Sequence, residues 1–119
     1  GGFDGFDIRI DNMLQENNTL LYDVFENCEG TATREAGCLL RNDVINTVRR
    51  ANCKICLDFS KIATVSSSFI DEFIAKMIIE MGIVNFNQIV SILGMNDTVK
   101  HLCERSIYMR IFEEWKATH

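Results

Sequence analysis

The sequence predicts an α/β domain: a mixed β-sheet of four to five strands with helices packed on it. Three observations predict it. Short apolar runs suited to buried strands alternate with amphipathic helical stretches through the second half of the chain, which favours parallel strands joined by right-handed crossovers. An alternating strand and a second apolar run open the chain, which suits an antiparallel hairpin. The 119 residues, 47% of them hydrophobic, are enough for one compact core and too few for two, so 1–119 is read as a single domain.

Phe6-Asp7-Ile8-Arg9-Ile10-Asp11 alternates apolar and polar residues strictly, the pattern of a strand with one face on a core. Gln15-Glu16-Asn17-Asn18 reads as a polar turn, and Leu20 to Phe25 as the second strand and hairpin partner. Gly30 ends that unit. Thr31 or Thr33 then caps a helix whose first turn carries Glu35, with Ala36, Leu40, Val44 and Val48 recurring every fourth residue and Arg49-Arg50 at its close. Lys54 to Phe59 is short, apolar and flanked by turn-formers, as a buried central strand would be.

From Phe69, the apolar positions Phe69, Ile70, Phe73, Ile74, Met77, Ile78 and Met81 form a wide stripe at helical spacing that stops at Gly82. Gln88 to Leu93 repeats the buried-strand pattern, and Gly94 turns the chain. Asn96 or Asp97 caps a further helix carrying Val99, Leu102 and Cys103. Tyr108 to Trp115 fits strand and helix equally, and Phe112 and Trp115 are expected in core or edge packing.

Seventeen acidic residues against 12 basic give a net charge of -5, which argues against nucleic acid as a partner. The longest uncharged stretch, Met81 to Asn96, contains three asparagines and a glutamine, so no membrane span is expected. The first residues lack a basic region followed by an apolar one, and a cytoplasmic location is the expectation. Five cysteines, an odd number, suit reduced thiols. Cys53-Lys54-Ile55-Cys56 has zinc or redox spacing, but Cys56 falls inside the central strand, and His101 and Cys103, two apart on a helix, do not share a face; no metal or other cofactor is expected. No Gly-x-Ser-x-Gly elbow or phosphate-binding glycine motif is present, so the protein is expected not to be an enzyme.

Two segments carry a family resemblance. Asp58-Phe59-Ser60 through Ile62-Ala63-Thr64-Val65-Ser66-Ser67-Ser68, leading into a long amphipathic helix, resembles the signature of the STAS family (sulfate transporter and anti-sigma factor antagonist). There an apolar strand is followed by a loop ending in Asp-Ser-Ser-Gly. Matched by position, Ser66 stands at the family's aspartate, Ser67 and Ser68 at its serines, and Phe69 at its glycine. Leu93-Gly94 followed by Val99-Lys100-His101-Leu102 is similar to the family's strand, turn and Val-Lys-x-Leu helix, and the matched region runs from about Thr33 to Phe112. Leu57-Asp58-Phe59, Ser67-Ser68-Phe69 and Asp71-Glu72 look closer still to a divergent STAS-like group of poorly defined function.

The resemblance implies a non-enzymatic regulatory module. In anti-sigma factor antagonists the second serine is phosphorylated by a partner that is both a histidine-kinase-like ATPase and an anti-sigma factor, and phosphorylation releases the complex. Ser68 is then the candidate acceptor, with Ser67 second. The implied docking surface is Ser66, Ser67, Ser68, Phe69, Asp71 and Glu72, with the two carboxylates facing a basic patch. A serine before an apolar helix is also an ordinary N-cap, and Ser68 with Asp71 three residues on makes a Ser-x-x-Asp capping arrangement. The simplest reading of Asp71, Glu72, Lys76 and Glu80 is a solvated helix face. A constitutive STAS-like subunit of a transporter or larger assembly is the alternative within interaction proteins; a small nucleotide-binding or hydrolytic protein is the alternative of another class.

Overall fold

The computed structural model describes residues 18–119. The expected strand 6–11, and with it the antiparallel pairing to the strand expected at Leu20 to Phe25, lies outside the described residues. Within them the chain forms β1 (Thr19–Asp23), a short helix α1 (Val24–Asn27), α2 (Arg34–Ala51) and β2 (Lys54–Asp58). A continuous helix over 67–81 follows, made of α3 (Ser67–Ile70), a π-helical turn (Asp71–Ala75) and α4 (Lys76–Met81). Then come α5 (Ile83–Ile89), β3 (Val90–Leu93) and α6 (Asp97–Thr118).

The described sheet has three strands in the order β1-β2-β3, both pairs parallel. Among the described residues the sheet is thus three-stranded and parallel; the antiparallel strand that would make it the expected mixed sheet of four to five strands falls on residues outside them. β2 is central, as its apolar run suggested. Register aligns Leu20, Ile55 and Val90 across the sheet, and Tyr22, Leu57 and Ile92 beside them. Leu20, Tyr22, Ile55, Leu57 and Val90 are buried on that face, whereas Leu21, Cys56 and Ser91 alternate to the other and keep contact with solvent.

β1 ends earlier than its composition suggested because Asp23 caps α1, its carboxylate accepting from the Glu26 amide at 3.2 Å. Thr33, of the two threonines considered, caps α2 by accepting from the Ala36 amide at 3.1 Å. Ala36, Leu40 and Val44 are buried on the expected stripe. Gly82 ends the 67–81 helix, and Asn96 caps α6, accepting from the Val99 amide at 2.9 Å. Two segments differ from the sequence reading. Gln88 and Ile89 belong to α5, a helix with little apolar pattern and Phe86 as its buried residue. Tyr108 to Trp115 is helical, and Phe112 and Trp115 are exposed rather than packed in the core, because the inward face of α6 carries Val99, Cys103 and Arg110. Among the described residues no helix is long and apolar enough to cross a membrane.

Phe59, Phe69 and Phe73 are fully buried where β2 meets the 67–81 helix, with Phe73 stacked on Phe59 at 6.0 Å and tilted against Phe69 at 5.8 Å. α2 lies across the same helix so closely that a Cβ on Gly37 would stand 2.5 Å from the Phe69 carbonyl oxygen and 2.9 Å from the Glu72 Cβ. Gly94 is equally constrained: its φ is +79°, and a Cβ there would meet the Ser60 nitrogen at 2.7 Å. Gly37→Ala is expected to force α2 off the π-helical turn and lower stability by about 2–3 kcal/mol, read as a fall in the urea midpoint followed by far-ultraviolet circular dichroism.

Candidate functional site

The loop from β2 to the 67–81 helix is pinned from both sides. Asp58 accepts from the Ser60 amide at 2.9 Å, and the Phe59 amide bonds to the Leu93 carbonyl at 2.9 Å. Thr31 donates its hydroxyl to the Thr64 carbonyl at 2.8 Å and accepts the Ser66 amide on its own carbonyl at 2.9 Å. The Asn96 side-chain amide donates to Ala63 at 2.9 Å, and Ile62 and Val65 are buried beneath. The serines that follow are thus held by α2's approach segment on one side and the start of α6 on the other.

Ser66, not Ser68, is the N-cap: its hydroxyl oxygen accepts from the Phe69 amide at 2.9 Å, and its carbonyl accepts the Ile70 amide at 3.1 Å. The Ser68-x-x-Asp71 cap is not formed. Ser67 is exposed, Ser68 is half-buried, and Phe69 is fully buried in the aromatic cluster, which removes Phe69 from the implied docking surface.

The expected solvated face of the helix is an ion network instead. Glu72 is only 5% exposed and lies among three cations: Lys76 at 2.6 Å, Arg34 at 3.0 Å and Arg41 at 3.0 Å. Arg41 also donates to the Glu72 backbone carbonyl. In a π-helical turn the amide five residues on replaces the usual donor four residues on, as Lys76 bonding to Asp71 shows, and a carbonyl within the turn is open to an outside donor. Arg41 thus holds both the side chain and the backbone of one residue; its Nε, 3.6 Å from Glu80, is buried without a hydrogen bond among the described residues. Asp71 is paired with Arg34 at 2.9 Å and with Arg110 of α6. Neither carboxylate is free to meet a basic patch, because cations of this chain already occupy both.

Burial pushes the Glu72 carboxyl up, but hydrogen bonds from Lys76, Arg34 and Arg41 outweigh it and hold the pKa down at about 2. Burial likewise opposes ionisation of Asp71, and Arg110 and Arg34 leave it below the ordinary range. Burial pushes the Cys103 thiol up to about 12 and raises Cys53, so neither is disposed to form a thiolate. Among the described residues no group of three or more His, Cys, Asp or Glu side chains is placed to hold a metal.

A cleft of about 450 Å³ opens between the first turn of the 67–81 helix and α6. Ser67, Ser68, Asp71 and Arg34 line one side, and Leu102, Arg105, Ser106 and Met109 the other; His101 is not among its walls. Of these, Arg34, Arg105, Ser106 and Arg110 behind Asp71 were not singled out by sequence reasoning. Arg34 and Arg41 did leave a signal: they flank Gly37 at helical spacing on one face of α2, a small residue between two cations beside an apolar stripe.

A crossover from an apolar central strand, through a serine-ended loop, into a helix packed on that strand is the arrangement the family signature requires. The model of the STAS-like domain of unknown function (DUF4325) matches residues 36–100, more than half of the chain. The chain belongs to this family. Neither a curated protein nor a solved structure matches it. In this STAS-like domain the matched span holds Ser66, Ser67, Ser68, Asp71 and Glu72, while Arg34, Arg105, Ser106 and Arg110 fall outside it.

Because the Glu72 pKa lies below its ordinary 4.5 in the folded state, its contribution to stability is fully present above pH 4.5 and lost as pH falls toward about 2. Glu72→Gln is expected to lower stability at pH 7 by about 2–3 kcal/mol and to flatten the decline of the urea midpoint between pH 4.5 and pH 2, which a series of melts at stepped pH measures.

Proposed function

We propose that this STAS-like domain is a non-enzymatic, cytoplasmic regulatory module that binds a protein partner through the turn bearing Ser67 and Ser68. The partner class is the histidine-kinase-like ATPase or anti-sigma factor that the resemblance implies, and Ser68 is the phosphoacceptor. One observation carries the reading: Ser66 caps the helix, and among the described residues the hydroxyls of Ser67 and Ser68 make no side-chain hydrogen bond and stand at the rim of a cleft. A residue that only stabilised the helix would be expected at the cap.

A phosphate on Ser68 adds roughly -1.5 to -2 charge. Asp71 and Glu72 offer little repulsion, since each is covered by two or more cations. Arg34 and Arg105 share the cleft with Ser68 and favour the added charge. The docking surface in this reading narrows to Ser67, Ser68 and the cleft rim, with Phe69 and Glu72 serving as its support.

Ser66→Ala is expected to cost about 1 kcal/mol and Ser68→Ala less than about 0.5 kcal/mol, compared by urea denaturation. Incubation with ATP and a co-encoded histidine-kinase-like ATPase should place one phosphate on Ser68, detected by mass spectrometry, and Ser68→Asp should weaken binding to that ATPase. Absence of phosphate together with unchanged affinity of Ser68→Asp refutes the switch.

A further inference from the structure

The cleft beside Ser68 has a chemistry that its use as a docking rim does not require. Among the described residues the Arg105 guanidinium has neither an ion pair nor a side-chain hydrogen bond, and the same holds for the hydroxyls of Ser67, Ser68 and Ser106. All four line one space of about 450 Å³, within the range of small-ligand sites. Arg34, half exposed, adds a second guanidinium from the opposite wall. The carboxylate that also faces the cleft, Asp71, is neutralised by Arg34 and Arg110 together, so the charge left over is positive.

Donors of this kind and number select the ligand. The Arg105 guanidinium, the N–H groups that Arg34 keeps beyond the Nη1 it gives to Asp71 and Glu72, and three hydroxyls exceed what the two oxygens of a carboxylate can accept, whereas a phosphate monoester offers three strongly accepting terminal oxygens. Leu102 and Met109 supply an apolar wall next to Arg105 and Ser106, suited to the organic body of such a ligand. A free inorganic ion would leave that wall unused.

We propose that the cleft between the Ser67–Ser68 turn and α6 binds a small organic phosphate monoester, its phosphate held by Arg105, Arg34 and the serine hydroxyls and its body resting on Leu102 and Met109. The site uses the unmodified Ser68 hydroxyl, and a phosphate on Ser68 would compete with the ligand for the same arginines.

The test is a titration of the full chain with phenyl phosphate, inorganic phosphate and benzoate, followed by amide chemical shifts. Phenyl phosphate should give saturable shifts at Ser67, Ser68, Arg105 and Ser106, and bind more tightly than either other probe. Arg105 is exposed and has no ion pair among the described residues, so Arg105→Gln should retain the wild-type circular dichroism while weakening phenyl phosphate about tenfold. Met109→Ala should weaken phenyl phosphate and leave inorganic phosphate unchanged. Shifts that do not saturate, an affinity unaffected by Arg105→Gln, or equal affinity for benzoate and phenyl phosphate overturns the proposal. Equal affinity for inorganic and phenyl phosphate, meaning an adventitious ion only, overturns it as well.

Discussion

The grip of Arg41 on Glu72 is the interaction on which the rest of this structure depends. A π-helical turn departs from the regular ladder of backbone bonds, and Arg41 reaches its middle with donors for both the Glu72 carbonyl and carboxylate. That reach is possible only because Gly37, one turn earlier on α2, presents no side chain to the Phe69 carbonyl. The pair acts as one device, in which the missing Cβ brings two helices together and the arginine fastens them. Phe69 and Phe73 on the inner side of the fastened helix then close over Phe59 and the central strand.

The same device shapes the site. Glu72 draws in Arg34, Arg41 and Lys76, while Asp71 draws Arg34 and Arg110, tying α2 and α6 to one short stretch of helix. Carboxylates committed to this structural work are withdrawn from recognition. Among the described residues the cleft groups left for a ligand or partner are hydroxyls and the Arg105 guanidinium, so the local chemistry is cationic on a chain whose net charge is -5. A site of one sign set in a molecule of the other sign is defined by local pairing and is invisible to composition.

Sequence pattern revealed those elements whose apolar residues keep a regular period. Ala36, Leu40 and Val44 marked α2, the Lys54 to Phe59 run marked the central strand, and Gly82 and Asn96 marked ends that are used as such. α5 escaped notice because Asn85, Asn87 and Gln88 surround Phe86, its one buried side chain. The tail of α6 was ambiguous because Tyr108, Met109, Ile111, Phe112 and Trp115 spread around the helix rather than along one stripe. The π-helical turn has no signature in residue periodicity, and without it Glu72 counts as an outward-facing charge. The choice of Ser66 over Ser68 as cap turned on where the loop is pinned by Thr31 and Asn96, contacts more than thirty residues distant in sequence.

The placement of Trp115 bears on how this protein can be observed. It is the single tryptophan, 55% exposed near the end of α6, stacked on Phe112 and the terminal His119 and remote in sequence from the aromatic cluster over β2. Intrinsic tryptophan emission therefore reports fraying of the last turns of α6, and a fluorescence melt would record the loosening of that helix end while the core around Phe59 and Phe73 stayed spectrally silent.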